Sequence, residues 1–277
     1  MSGVSRLRTM GRVITTRFAP APTGHLHIGH VLDALYVWET ARREGGRVLL
    51  RIEDHDAQRC RPEYEHSILE DLAWLGFVPD GPMVRQSDRG AIYEASLQRL
   101  REQGLTYACE CSRREIAEAG GAGAELRYPG TCVTRGLGEV PGRAIRVRLP
   151  RSEERFDDLL VGPQRQVPSE QCGDLLVRDR KGNWTYQFAV TVDDFDQDVN
   201  LVIRGLDLLD STGRQIQLAK MLGRTEPPRF MHHPLIMKAP GQKVSKSDGA
   251  TGIRDMRTAG ATAAEVLAIV RRSVDAP

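Results

Sequence analysis

The chain has 277 residues, of which 40% are hydrophobic and 27% charged. Such a chain can bury a sizeable core, and its composition is that of an ordinary globular protein rather than a disordered or collagen-like one. No apolar run is long enough for a membrane span or a secretory signal, and the five cysteines are an odd number, so we expect free or metal-bound thiols in the cytoplasm. The net charge of +2 neither requires nor excludes a nucleic-acid partner, because such a site depends on where Lys and Arg lie.

The first 109 residues predict the beginning of an α/β domain. In chain order they predict a strand over residues 13–18, a helix over 31–44, a strand over 47–52, helices over 62–75 and 92–103, and a strand over 105–109. The first three elements form a βαβ unit, and the ligand of such a unit lies at the carboxyl ends of its strands. Residues 19–30 are therefore expected to line a binding crevice.

From residue 109 to 192 the sequence changes to glycine- and proline-rich loops, and helical patterning nearly vanishes until Ser211. This change predicts that the α/β domain is interrupted by an α+β subdomain. Its predicted elements are a short helix capped by Ser112 and Glu115 and strands over residues 144–149, 175–178 and 184–192.

The α/β alternation then resumes. The remaining predicted elements are a strand over residues 200–204, a helix over 213–222, a strand over 231–238 and a last helix capped by Thr262 and Glu265. The predicted units are a first half of a Rossmann-like domain over residues 13–108, the insertion over 109–192, the second half over 193–247, and a short C-terminal helical stub over 248–277.

A pair of histidines stands at the predicted start of the first helix. His27 and His30 are three residues apart, so they share a face beside the backbone N–H groups and the positive end of the helix dipole. An anion such as a triphosphate fits that position. Gly29 between them has no side chain, so a flat base can lie directly on the backbone.

A second candidate phosphate-binding segment is KVSKS at residues 243–247, which places Lys243 and Lys246 on a loop. Two lysines with only Val244 and Ser245 between them can close over phosphates and neutralise charge as pyrophosphate leaves. Each segment alone is weak, because lysine-rich loops are usually solvated surface and paired histidines are more often structural or metal-binding.

Together and in this order, the two segments resemble the HIGH and KMSKS signatures of class I aminoacyl-tRNA synthetases. The likeness runs from about residue 17 to 247 and points to the glutamate branch of that class. It is carried by Arg17-Phe18-Ala19-Pro20, Arg51-Ile52-Glu53-Asp54, Tyr186 ahead of Val192-Asp193-Asp194, and Val202-Ile203-Arg204-Gly205 followed by Ser211-Thr212. The resemblance implies an α/β fold: a Rossmann-like catalytic domain with an inserted, zinc-containing α+β subdomain.

The resemblance also implies roles for individual residues. The catalytic residues would be His27, His30, Lys243 and Lys246; ATP would contact Pro20, His27, Gly29, His30 and Lys246; and glutamate would contact Arg17, Ala19, Ala21, Glu53, Tyr186 and Arg204. Physical chemistry agrees, because an arginine can pair with a carboxylate through two hydrogen bonds while Glu53 takes the ammonium. The alternative is that these charges form ordinary surface ion pairs. Ala21 departs from the family, which usually has serine there.

Three cysteines and a tyrosine form a second constellation. Cys109 and Cys111, one residue apart, and Cys132 beyond a glycine-rich loop could supply three ligands of a tetrahedral zinc ion, with Tyr128 or water as the fourth. The Cys-x-Cys, Tyr-x3-Cys pattern is similar to the zinc site of the glutamyl-queuosine tRNA(Asp) synthetases, truncated relatives of glutamyl-tRNA synthetase. The alternative is three buried free cysteines.

The resemblance implies ATP-dependent activation of L-glutamate to glutamyl-adenylate, with Mg²⁺ on the phosphates, and transfer to the queuosine base in the anticodon of tRNA(Asp). The expected partner is that anticodon stem-loop, and the expected enzyme is a cytoplasmic monomer with no membrane partner. Only about thirty residues follow Ser247, so we expect no anticodon-binding domain, which disfavours charging of tRNA(Glu). Two alternatives stay open: an enzyme that sends glutamate to another acceptor, such as tRNA(Glu), a small amine or a protein, and a non-catalytic, glutamate-sensing paralogue. The intact His27-Ile28-Gly29-His30 favours ATP chemistry, although the truncated branch often has a degraded version.

Overall fold

The computed structural model describes residues 12–56, 58–120, 126–239, 242–243 and 252–275. Strands and helices alternate over much of these ranges, which confirms the predicted α/β class. The strands are β1 (Thr15–Phe18), β2 (Arg47–Ile52), β3 (Val84–Arg85), β4 (Thr106–Cys109), β5 (Ala144–Val147), β6 (Glu154–Asp158), β7 (Gly162–Gln166), β8 (Leu175–Arg178), β9 (Leu201–Gly205), β10 (Arg229–His233), β11 (Met237–Ala239) and β12 (Gln242–Lys243). The helices are α1 (Ile28–Arg43), α2 (Pro62–Leu75), α3 (Gly90–Glu102), α4 (Arg113–Gly120), α5 (Pro168–Gln171), α6 (Tyr186–Asp196), α7 (Thr212–Met221), α8 (Ile253–Thr258) and α9 (Ala263–Asp275).

Two sheets carry the α/β pattern. In the first, β1 pairs with β2 and β2 with β3, all in parallel. In the second, β9 pairs in parallel with β10, β10 in parallel with β6, and β6 antiparallel with β7. The two sheets adjoin at β1 and β9, because the N–H of Asn200 donates to the carbonyl of Thr15 over 3.0 Å. A third, antiparallel sheet has the order β4-β5-β8.

Helix α1 packs against strands of both α/β sheets. Its buried positions Val31, Leu35 and Trp38 recur every three or four residues, as in a helix with one face against a core, and they share one apolar cluster with residues of β1, β2, β9 and β10. Ile253, the first residue of α8, donates its N–H to the carbonyl of Leu26 over 2.9 Å. The C-terminal helices are thereby fastened to the loop that leads into α1. No helix in the described ranges is both long and apolar enough to cross a lipid bilayer.

The strand predicted over residues 184–192 is wrong, because this segment begins helix α6. Its aromatic and β-branched residues favour a strand by composition. Every residue from Phe188 to Asp194 is nevertheless buried. A helix buried all round shows no polar face, and the periodicity that identifies a helix is then missing.

The predicted strands were incomplete at two further places. Residues 154–166 form the hairpin β6–β7, which the charged sequence did not indicate, and β6 extends the second sheet beside β10. The predicted strand over 231–238 is in fact two, because the backbone leaves β10 at Pro234, which has no N–H to donate to a ladder. The domain boundaries at residues 108, 192 and 247 stay a prediction.

Candidate active site

A cavity of about 300 Å³ opens where β1, β2, β9 and β10 end. Eight residues that the sequence marked as candidate ligand contacts line it: Arg17, Ala19, His27, Gly29, His30, Glu53, Tyr186 and Arg204. The fold therefore brings together the loop before α1, the residue after β2, the start of α6 and the end of β9. This is the edge of a parallel sheet at which α/β proteins bind their ligands.

His27 and His30 form the amino-terminal cap of α1. Nδ1 of His27 accepts the N–H of Gly29, and Nδ1 of His30 accepts the N–H of His27, each over 3.1 Å. The two ring centroids lie 3.8 Å apart. A neutral imidazole that accepts at Nδ1 carries its hydrogen on Nε2. Each histidine can therefore donate through Nε2 near the positive end of the helix dipole, which favours an anionic ligand.

Gly29 is required by the cap itself. A β-carbon on residue 29 would lie 2.9 Å from Cε1 and 3.1 Å from Nδ1 of the His27 ring. Any other residue would push that ring off the N–H it caps. The sequence predicts that glycine at this position leaves room for a base. The structure shows that glycine also leaves room for the His27 ring.

A buried ion network lies beneath the cavity. Asp194 on α6 accepts from Nε of Arg17 (3.0 Å) and from Nη2 of Arg51 (2.8 Å), and Nη1 of Arg17 donates to the carbonyl of Ile203 (3.0 Å). Arg51 is fully buried, and Arg17 and Asp194 are nearly so. These two arginines lower the pKa of Asp194 against the opposing effect of burial. Arg17 thus reaches the cavity with its charge already compensated.

Arg204 is charged, 3% exposed and held by neutral groups. Its Nε donates to Nε2 of His232 (3.0 Å), its Nη1 to Oε1 of Gln215 (2.7 Å) and its Nη2 to Oγ1 of Thr212 (2.8 Å). Within the described part of the chain, no carboxylate forms an ion pair with it. Burial lowers the pKa of Arg204, but arginine stays protonated in proteins. A buried cation without a counter-charge favours an anionic ligand in the cavity.

Glu53 is an acidic residue in the lining of the same cavity. It is 7% exposed, and its ion-pair partner Arg51 is 3.6 Å away. Burial raises the pKa of Glu53 to about 7, although Arg51 and Arg17 oppose the shift. A ligand ammonium beside Glu53 would favour its ionised form, because opposite charges at short range stabilise each other.

Tyr186 reaches the cavity because residues 186–196 are helical. Tyr186 opens α6 and Asp194 follows about two turns later, about 12 Å along a helix but about 26 Å along a strand. The helix lets one element supply both a cavity side chain and the anchor of Arg17. Burial raises the pKa of Tyr186, so its hydroxyl stays protonated at neutral pH.

The cavity also contains polar residues that the sequence did not single out. Asp33 Oδ1 lies 3.0 Å from Nε2 of His233, whose ring stacks on Tyr36. Burial alone would lower the pKa of His233, but Asp33 raises it. Asp33 could have been found, because it lies three residues after His30 on the same helical face. His233 could not, since only the pairing of β10 with β9 brings it here.

Four candidate residues are not among those that line the cavity. Pro20 and Ala21 lie outside its lining, and the carbonyl of Pro20 accepts the N–H of Glu53 over 3.0 Å. Lys246 and the side chain of Lys243 lie outside the described residues, while the backbone of Lys243 belongs to β12.

The three predicted cysteines come together between β4 and α4. The Sγ atoms of Cys109, Cys111 and Cys132 all lie within 4.8 Å of one another, and those of Cys111 and Cys132 are 3.5 Å apart. In a tetrahedral zinc site with Zn–S bonds of about 2.3 Å, two sulfurs are about 3.8 Å apart. The spacing thus suits a tetrahedral metal ion.

Tyr128 adjoins this cluster. Its hydroxyl oxygen lies 3.4 Å from Sγ of Cys109 and 3.9 Å from Sγ of Cys111, and it accepts the N–H of Cys132 over 2.9 Å. The guanidinium of Arg146 covers the ring at 3.6 Å from its centroid. The phenol oxygen thus lies beside the three sulfurs, with a guanidinium over its ring.

The chain belongs to the class I tRNA synthetases (E and Q): the family model of their catalytic domain matches residues 13–274. Among curated proteins, it is similar to a glutamyl-Q tRNA(Asp) synthetase of Burkholderia cenocepacia, with 46% identity over 244 residues that cover 86% of this chain and 81% of that protein. It is also similar to a glutamyl-Q tRNA(Asp) synthetase of Geobacter sulfurreducens, with 45% identity over 243 residues, covering 86% and 76%.

Among solved structures, it is similar to the crystal structure of a glutamate tRNA ligase from Elizabethkingia meningosepticum in complex with its amino acid. The TM-score is 0.74 and the identity 30%, over 90% of this chain and 54% of that one. The chain thus spans about half the length of that ligase.

Proposed function

We propose that this protein activates L-glutamate with ATP and transfers it to the queuosine base in the anticodon of tRNA(Asp). The observation that carries the activation step is the charge pattern of the cavity: within the described ranges the buried cation Arg204 forms no ion pair, and the buried carboxylate Glu53 has its ion-pair partner Arg51 at 3.6 Å. A ligand with one ammonium and two carboxylates can pair its ammonium with Glu53 and a carboxylate with Arg204. Glutamate is such a ligand. The names of the similar curated proteins support the acceptor.

In the proposed complex, the glutamate ammonium lies against Glu53 and a carboxylate against Arg204, with Arg17 and the Tyr186 hydroxyl beside them. Arg17 and Arg204 are both held at several atoms, so neither needs to reorganise when the amino acid binds. ATP enters as its magnesium complex, with its phosphates at His27 and His30. Both reactants then meet at the carboxyl ends of the strands.

The proposed first step is attack of a glutamate α-carboxylate oxygen on the α-phosphorus of ATP. An oxygen–phosphorus bond forms, the bond from the α-phosphorus to the bridging oxygen breaks, and pyrophosphate leaves with that electron pair. Glutamyl-adenylate remains. No side-chain nucleophile is required, so the protein acts by positioning the reactants and by stabilising charge on the phosphates through His27, His30, Lys243 and Lys246.

In the proposed second step, a hydroxyl oxygen of queuosine attacks the activated carbonyl carbon and forms an ester bond. The bond from that carbon to the phosphate oxygen breaks, AMP leaves with the electron pair, and the hydroxyl proton passes to the leaving phosphate or to solvent. The direct test is transfer of radiolabelled glutamate to purified tRNA(Asp) with and without queuosine, and to tRNA(Glu). We expect label only on queuosine-containing tRNA(Asp). Glutamate-dependent ATP–pyrophosphate exchange without any tRNA labelling would indicate another acceptor, and labelled tRNA(Glu) would contradict the proposal.

We also propose that Cys109, Cys111 and Cys132 hold a structural zinc ion, with the oxygen of Tyr128 as the fourth ligand. The sulfur spacing and the position of the phenol oxygen fit a tetrahedral site. Bound zinc would cross-link β4 to the loop around Cys132. It would take no part in the transfer of glutamate.

Glutamate binding is expected to weaken in mild acid, because the ionised form of Glu53 binds the ammonium. With a pKa of about 7, Glu53 is mostly protonated at pH 6 and mostly ionised at pH 8. The KM for glutamate in ATP–pyrophosphate exchange should therefore be about tenfold higher at pH 6 than at pH 8. In the Glu53→Gln variant the KM should be high at both pH values. An unchanged pH dependence in that variant would assign the effect to another group.

Lys246→Ala is expected to lower kcat for pyrophosphate exchange more than it raises the KM for glutamate. The lysine charge matters most as charge builds on the departing pyrophosphate, so its loss acts on the transition state. We expect kcat to fall by about a hundredfold or more, the size of effect seen when a single donor that stabilises an oxyanion is removed. An equal change in KM and kcat would contradict that role.

A further inference from the structure

A buried chain of three side chains leads from β6 to the cavity. Oδ2 of Asp158 lies 2.6 Å from Nδ1 of His232, and Nε2 of His232 lies 3.0 Å from Nε of Arg204. All three residues are at most 4% exposed. Asp158 and His232 do not line the cavity, and neither belongs to a motif found in the sequence.

The hydrogen bonds define the tautomer of His232. Nε of Arg204 always carries a hydrogen, so Nε2 of His232 must accept it. A neutral ring that accepts at Nε2 has its hydrogen on Nδ1, where it can donate to Asp158. The Thr212 hydroxyl, 3.2 Å from Nε2, fits the same assignment, because it accepts from Nη2 of Arg204 and can donate its own hydrogen to the ring.

Asp158 imposes this tautomer because its carboxylate oxygens receive hydrogen bonds from several backbone N–H groups. Its Oδ1 accepts the N–H groups of Leu160 and Val161, each over 2.9 Å, and its Oδ2 accepts the N–H of His232 over 3.0 Å. These bonds, together with that from the ring, lower the pKa of Asp158 although burial opposes the shift. An ionised carboxylate cannot donate, so the hydrogen of the ring must face it.

We infer that His232 is a positioning residue for the amino-acid site. As the neutral tautomer that Asp158 selects, it holds the guanidinium of Arg204 in the plane that receives the carboxylate of the amino acid. This inference rests on the proposed role of Arg204 in glutamate binding. Among the described residues, the titratable and charged groups that face His232 are Asp158, Arg204 and the adjacent His233. A hydrogen on Nε2 would point at the N–H of Arg204 and release it.

Two substitutions separate the functions of the two ring nitrogens. His232→Gln places an amide oxygen near the position of Nε2 and keeps an acceptor for Arg204. His232→Asn places its amide near the position of Nδ1, so it can donate to Asp158 but leaves Arg204 without its acceptor. We expect His232→Asn to raise the KM for glutamate in ATP–pyrophosphate exchange by ten- to about a hundredfold, as for a lost hydrogen bond to a charged group. The KM for ATP should change by less than about twofold, and His232→Gln should recover the KM for glutamate to within about fivefold.

Asp158→Asn tests the tautomer of His232 by replacing the carboxylate that accepts the hydrogen of Nδ1. The amide oxygen of the asparagine should accept hydrogen bonds from the backbone N–H groups of residues 160 and 161. Its NH₂ then faces Nδ1 of His232, so Nδ1 must accept and the ring hydrogen moves to Nε2. We expect the same rise in the KM for glutamate as in His232→Asn. In the wild-type protein without substrates, the ¹⁵N chemical shifts of the His232 ring should show a hydrogen on Nδ1, whatever the activity of the protein.

The outcomes distinguish this inference from the proposed function. Absence of glutamate-dependent exchange in the wild-type protein would refute the proposed function, and the ring shifts would still test the tautomer. Normal exchange in the wild-type protein with an unchanged KM in both His232→Asn and Asp158→Asn would refute the positioning role alone. An equal rise in the KM for glutamate in His232→Asn and His232→Gln would also refute the positioning role. So would failure of both His232→Asn and Asp158→Asn to fold, because Asp158 and His232 would then stabilise the sheet rather than position Arg204.

Discussion

Arg204→Lys is expected to lower kcat/KM for glutamate in ATP–pyrophosphate exchange by about a thousandfold, on the order of 4 kcal/mol. A lysine ammonium cannot occupy the three acceptors on His232, Gln215 and Thr212 and also pair with a carboxylate through two parallel hydrogen bonds. The loss should appear in kcat/KM for glutamate, while the KM for ATP stays close to that of the wild-type protein.

Arg165→Lys is the matched control. Arg165 lies on the β7 edge, 70% exposed, and its ion-pair partner is Glu153. Exposed ion pairs contribute about 1 kcal/mol or less, so this variant should keep kcat/KM within about fivefold. A similar loss in both variants, or a small loss in Arg204→Lys, would remove Arg204 from the glutamate site.

Cys132→Ser is expected to abolish stoichiometric zinc binding. Elemental analysis should find about one zinc ion per wild-type chain and little in the variant, because a serine hydroxyl is a far weaker zinc ligand than a thiolate. The small core that contains Cys109, Ile116 and Tyr128 would lose its cross-link, and we expect Tm to fall by roughly 5 °C or more.

Cys172→Ser provides the control for the loss of a thiol. Cys172 is buried, outside the cluster, and its Sγ contacts the carbonyl oxygens of Pro168 and Gly173 at 3.3 Å, which a serine hydroxyl can also reach. This variant should keep its zinc. Equal zinc contents in wild type and Cys132→Ser, or no zinc in either, would contradict the proposed metal site.

The residues that could be predicted from sequence alone are those whose contacts are local. His27 and His30 meet within one helical turn, and their capping bonds follow from that spacing. Ser112 with Glu115 and Thr262 with Glu265 form the predicted capping boxes for the same reason.

Other parts of the site depend on contacts between distant segments. Asp158, His232 and Arg204 meet only because β6, β10 and β9 are neighbours in one sheet, and no local pattern encodes that order. Helix α6 was mistaken for a strand because it is buried on all sides. The prediction that Arg17, Glu53, Tyr186 and Arg204 share a pocket rested on resemblance to a family. In the structure these four residues line one cavity.

The most direct test of this account is a crystal structure with a non-hydrolysable glutamyl-adenylate analogue. We predict a glutamyl carboxylate within about 3.2 Å of Arg204, the ammonium at Glu53, and the adenylate over Gly29 with its phosphate-mimicking group beside His27 and His30. An analogue bound elsewhere, or one in this cavity with its glutamyl group turned away from Arg204, would contradict the account.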